Sequence, residues 1–166
     1  MTLPVMIDSA LPEYKDPKQF RESVVALQEQ LAELPQVDCP LTHRFTEGAY
    51  AREIFLPANT LIIGKIHKHG HLNFITKGEV SVVTEFGTER YTAPYTFVSL
   101  PLTKRALYTH SDTIWTTVHV TTETDLIKLE EELIYPSYDE AERIEQAKQA
   151  LGLQEADNGI LIQQDI

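Results

Sequence analysis

Cysteine is almost absent, Cys39 being the only one in 166 residues. No disulfide can form within the chain, and a reducing cytoplasm is the expected setting. Basic residues are scarce, with 14 Lys and Arg against 25 Asp and Glu and a formal charge of −11. That balance speaks against nonspecific attraction to nucleic acid or anionic lipid, and no basic stripe with interleaved aromatics relieves it. Long apolar runs are missing too. None approaches the roughly eighteen residues that would cross a bilayer, so no membrane partner is expected. The opening stretch MTLPVMIDSALPEYKD lacks the basic and apolar regions of a signal peptide.

What is present fits one globular domain with extensions, apolar content being an ordinary 42%. Residues 1–40 form an arm with one expected helix. Asp16 suits its N-cap and Pro17 its first position. Phe20, Val24, Leu27 and Leu31 follow at helical spacing, and Pro35 stops it. From Leu41 the period becomes that of strands. Strands are expected at 50–56, 60–66, 71–76, 79–86, 90–93, 95–100, 105–110 and 114–121. Pro57-Ala58-Asn59, Lys77-Gly78, Phe86-Gly87-Thr88, Ala93-Pro94 and Ser111-Asp112 supply the turns between them. Eight short strands at near-regular spacing predict an all-β sandwich or barrel over residues 41–122. Residues 123–166 return to helix. Leu126, Leu129 and Leu133 have helical spacing, and Ser137 with Glu140 makes a capping box for a helix from Tyr138 to Leu151 that Gly152 would close. The apolar tail Ile160-Leu161-Ile162 is expected to pair with another chain or to order on assembly.

The stretch GKIHKHGHLNFITKG, residues 64–78, carries three of the six histidines, His67, His69 and His71. In an extended strand these alternate positions share one face, which marks a site without saying of what kind.

The sequence from the turn at Pro57 through Gly78, with a second stretch Ser99-Leu100-Pro101-Leu102-Thr103-Lys104-Arg105-Ala106, resembles the two motifs of the cupin superfamily. The resemblance implies a jelly-roll core, the double-stranded β-helix, flanked here by N- and C-terminal α-helical extensions. Counting from Pro57, or back from Gly78, places the family's HxH pair at Lys65 and His67 and its glutamate at His71. The histidine of the second motif falls on Arg105. Where a metal cupin offers three imidazoles and a carboxylate, this chain offers Lys65, His67, His71 and Arg105. Two cations beside a metal predict no tightly bound cofactor, only a weakly held divalent ion on His67 and His71. His69, His110 or His119 would complete that set if the register shifted by one strand face.

The same cations favour an anion. A guanidinium fork grips carboxylate or phosphate with two parallel hydrogen bonds, and a lysine adds a point charge. Asn73, on the face of His71, adds a donor and an acceptor, and Tyr108 and Trp115 are candidate cavity walls. The competing structural reading places Lys65 and Arg105 in buried ion pairs with Glu53, Glu79 or another acid.

Three functional classes follow. The first is a small-anion binding module with a degenerate metal site. The second is an enzyme, either a metal-dependent cupin or a metal-free isomerase or epimerase with a histidine base. The third is an assembly protein that uses the barrel as scaffold and the tail for contacts. The patterns GKIHK, APYTFVSLP and WTTVH resemble small single-domain cupins of bacteria and tailed phages, which implies no particular reaction and would allow a virion-associated location. Such domains commonly pair, so a homodimer extended by the apolar stripe of the arm is expected.

Overall fold

The structure is a computed structural model that describes residues 16–151, 153–155 and 161–163. The opening stretch read above for a signal peptide lies outside these residues up to Lys15, as do Gly152 and Ile160.

Helix α1, Pro17–Ala32, begins as its sequence predicts, with the Asp16 carboxylate accepting from the Lys18 N–H at 2.9 Å. Phe20 and Val24 are its buried stripe, each worth about 1.5–3 kcal/mol. Arg21 fixes its orientation. The guanidinium donates to Glu85 at 3.0 Å and lies 4.6 Å over the ring of Tyr138.

The chain then builds β1, Leu41–Thr46; β2, Ala49–Leu56; β3, Leu61–Ile63; β4, Ile66–His67; and β5, His71–Lys77. It continues through β6, Glu79–Thr84; β7, Gly87–Thr92; β8, Tyr95–Ser99; β9, Ala106–Thr109; and β10, Thr113–Val120. One sheet has the order β1-β2-β10-β5-β8 and the other β3-β9-β6-β7. Every pairing in them is antiparallel, and the chain passes repeatedly from one sheet to the other as in a jelly roll, with β1-β2 and β6-β7 as hairpins within a sheet. Leu56, Ile75, Val80, Val82, Tyr91, Leu107 and Trp115 fill the space between them.

Two details differ from the sequence reading. Leu41–Thr46 is a full edge strand, although its turn to β2 is only Glu47-Gly48 and gave no strong punctuation. The single strand expected over 60–66 breaks at Gly64-Lys65 into β3 and β4. The returning turn after β5 needs Gly78, whose φ is +95° and whose Cβ would stand 2.5 Å from the Asp112 carbonyl oxygen.

Beyond the barrel, α2, Leu126–Leu133, is capped by the Asp125 side chain, which accepts from the N–H groups of Ile127 and Lys128. A short strand β11, Ile134–Tyr135, pairs with β4 and brings α2 over one end of the barrel. Helix α3, Tyr138–Ala150, starts at the capping contact from the Glu140 N–H to Ser137 Oγ, 3.2 Å. Two tail strands, β12 at Leu153–Glu155 and β13 at Leu161–Gln163, pair with each other, so Leu161 and Ile162 find a partner strand within their own chain. Among the described residues no helix is long and apolar enough to cross a membrane.

Candidate functional site

The larger sheet carries the site on its inner face. Alternation along β2 sends Tyr50, Arg52, Ile54 and Leu56 inward, and along β10 sends Trp115, Thr117 and His119 inward. Cross-strand register sets His119 beside Tyr50, Thr117 beside Arg52, and Trp115 beside Ile54. His71, Asn73 and Ile75 point in from β5. The inner face thus grades from histidines at one end to hydrocarbon at the other.

His67, His71 and His119 converge, with one ligand-capable nitrogen from each lying within 4.8 Å of the other two. Their ring centroids are 4.2, 4.7 and 5.1 Å apart. His67 Nδ1 and His71 Nε2 are buried and have no hydrogen-bond partner among the described residues. The other nitrogen of His71, carrying its proton, donates to the His69 carbonyl at 3.3 Å, which leaves Nε2 with its lone pair free. Burial pulls His71 down to about 4, and burial with His71 and Arg52 nearby pulls His119 down to about 3. Burial also holds His67 well below the ordinary imidazole value, helped by His71, His119, Arg105 and Arg52. All three rings are therefore neutral near pH 7, the state that ligates metals.

The donor set fits a divalent transition ion. Bonds of about 2.1 Å to one ion keep two nitrogens within about 4.2 Å of each other, so small ring rotations suffice. Unpartnered, buried, neutral imidazole nitrogens are what such an ion requires, and three neutral ligands leave its charge for an exogenous anion to balance.

Arg105 is 8% exposed. Its Nη2 donates to Ser99 Oγ at 2.6 Å, and its Cζ lies 5.9 Å from the centroids of both Phe97 and Trp115. Ser99 Oγ also accepts from Asn73 Nδ2 at 2.7 Å, and Asn73 Oδ1 accepts from Trp115 Nε1 at 3.0 Å. This chain of buried bonds aims the guanidinium. No carboxylate among the described residues pairs with it: Glu53 engages Arg44, and Glu79 engages Arg90. Of the buried ion pairs weighed from sequence, Arg105 forms none among the described residues, and Lys65 pairs with an acid, Glu130, at the exposed rim and not inside the barrel. Burial accordingly draws the Arg105 guanidinium below its usual range. Arg52 is a second cation in the cavity, also lowered by burial.

Lys65 is placed differently from the sequence reading. The break at Gly64-Lys65 turns it outward, its side chain is 57% exposed, and its ammonium pairs with Glu130 of α2 at the rim. Tyr108 lies on the opposite face of β9 from the core residue Leu107, where its hydroxyl donates to Asn59 Oδ1 at 3.0 Å. The structure thus brings together His67, His71, Asn73, Arg105 and Trp115. It adds two residues absent from the motif-based set, Arg52 and His119. Alternation with Tyr50 and Ile54 could have found Arg52, and alternation with Trp115 singles out His119 from the three histidines weighed above as completing the set.

No family model matches the chain, and no curated protein does. Solved structures do resemble it. Ectoine synthase from P. lautus is 16% identical, with a TM-score of 0.50 over 65% of this chain and 85% of that one. KdgF from Halomonas sp. is 13% identical, with a TM-score of 0.46 over 56% of this chain and 88% of that one. A cupin superfamily protein from Desulfitobacterium hafniense is 8% identical, with a TM-score of 0.45 over 55% of this chain and 84% of that one. The chain has the cupin fold. At such identities the likeness extends to the fold alone.

Within this cupin barrel the cavity measures about 450 Å³ and is walled in part by α2. Its volume is within the range of small-molecule sites. Lys65 spends its charge on Glu130 outside the barrel, and the cations that face the histidines are Arg105 and Arg52.

Proposed function

We propose that this cupin binds a small anion inside the barrel, beside a divalent metal held by His67, His71 and His119. The observation that carries the reading is the convergence of three neutral, buried imidazoles within 4.8 Å, two of them with unpartnered nitrogens. Arg105, buried, and Arg52, half-buried, form no ion pair among the described residues and supply the anion's counter-charge. A bound divalent ion would contribute Lewis acidity. Arg105, held by Ser99, orients the anion, and the hydrocarbon walls with α2 limit access of water. This departs from a purely degenerate metal site because a third imidazole, His119, stands where the motif alignment offered none.

Equilibrium dialysis of the chelator-stripped protein against zinc tests it. One equivalent bound, and lost in His119→Ala, is expected. Retention of the full equivalent by that variant would remove the three-histidine centre.

A second reading concerns pairing of two copies. On the outer face of the larger sheet, Leu72, Val98 and Val120 are 44%, 63% and 86% exposed, and Leu72 pairs directly with Val98. An apolar patch of this kind supports a homodimer joined through that face. Light scattering at micromolar concentration should give twice the 18.9 kDa chain mass, and a monomeric mass would exclude it.

A further inference from the structure

We propose that the anion is an organic acid with an apolar body, of the aryl- or branched-alkyl-carboxylate class, and not a sugar acid; this rests on the anion-binding reading above. The cavity is chemically two-ended. Ile54, Leu56, Ile62 and Leu107 from the two sheets, the Trp115 ring, and Leu129 from α2 make hydrocarbon walls. Unspent polar groups are confined to Arg52, Arg105 and the histidine cluster.

The remaining polar side chains around the cavity are already engaged. His43 Nδ1 and the Tyr50 hydroxyl share a hydrogen bond of 2.7 Å. The Thr117 hydroxyl donates to the Arg52 carbonyl at 3.4 Å, and Lys65 is paired with Glu130. A polyhydroxylated acid would lay most of its hydroxyls against hydrocarbon and give up their bonds to water without replacement. A hydrocarbon body loses nothing there and gains burial. Its carboxylate meets two cations that differ in readiness. Arg105 is aimed by its bond to Ser99, whereas Arg52 makes no side-chain hydrogen bond or ion pair among the described residues. Both guanidiniums line the one cavity, so a single carboxylate is within the reach of their shared field.

Calorimetric titration of the full chain, zinc-saturated and zinc-free, with 3-phenylpropionate, gluconate and 3-phenylpropionamide tests this. The phenylpropionate should bind at least tenfold more tightly than either other probe. Arg105→Gln should weaken it at least tenfold while zinc stoichiometry is unchanged, and Arg52→Gln supplies the same test should Arg105→Gln fail to fold. Gluconate binding as tightly as phenylpropionate, the amide binding as tightly as the acid, or no phenylpropionate binding in either metal state would overturn the inference. Selective phenylpropionate binding by protein that takes up no zinc would support it while overturning the metal part of the proposed function.

Discussion

Gly64 and Arg105 are packed backbone to backbone: the Gly64 N–H donates to the Arg105 carbonyl at 2.8 Å, and a Cβ at Gly64 would stand 3.1 Å from Arg105 Cγ. The break between β3 and β4 and the aim of the buried guanidinium are therefore one feature. Gly64→Ala should push the Arg105 side chain by a few tenths of an ångström. Binding of an anionic probe should fall several-fold, with a loss of stability of about 1 kcal/mol, read by calorimetry and urea denaturation. Unchanged affinity would mean that Arg105 does not touch the anion.

Lys65→Ala should do far less. Both partners of the Lys65–Glu130 pair are more than half exposed, so the loss should be no more than about 1 kcal/mol. Anion affinity should stay within about twofold of wild type in titrations at moderate salt, where exposed charges are screened. A tenfold loss would restore Lys65 to the interior of the site.

Asn73 is fully buried and links Trp115 to Ser99. Asn73→Ala leaves the indole N–H without an acceptor and frees Ser99, at a cost of about 2–4 kcal/mol. Denaturant titration gives the stability, and the tryptophan emission should shift as Trp115, the only tryptophan, loses its bond. A stable variant with unchanged emission would contradict the network.

Stability should fall with acid before carboxylates titrate. His71 and His119 protonate at about 4 and about 3 in the folded protein, against 6.5 ordinarily. The unfolded chain therefore binds protons below pH 6.5 that the folded chain refuses. The contribution of the neutral rings is complete above about pH 6.5 and is lost as pH falls toward 4 and then 3. Metal-free protein should lose a few kcal/mol between pH 7 and 5, the rings losing less together than separately because they interact. His119→Phe should flatten the profile. A flat profile in the wild type would show that the rings are solvated.

The fold was readable because strands and turns carry local signals: alternation, the Pro57-Ala58-Asn59 turn and the glycine at Gly78, where only a residue without Cβ fits. Pattern also placed Asp16, Pro17, Ser137 and Glu140 at helix starts that the structure shows. The site was readable only in part. His67, His71 and Arg105 followed from motif register, but Lys65 did not, since alternation carries no warning of a strand break at Gly64. The three alternate histidines looked like one strand face, yet the chain bends at Lys68-His69, and His67 meets His71 from a separate strand. Arg52 lies in β2, ahead of the motif, and His119 far along the chain in β10, and β2–β10 pairing, which no local pattern encodes, brings them together at the cluster.

The most direct test of a metal and an anion sharing one cavity is the visible absorption spectrum of cobalt-substituted protein, titrated with 3-phenylpropionate. One equivalent of cobalt should bind with a spectrum unlike that of the aqueous ion, absent in His67→Ala, His71→Ala and His119→Ala, and the acid should shift it saturably. Cobalt that binds with no spectral response to the acid, or a spectrum that survives loss of any one of the three histidines, would contradict the account.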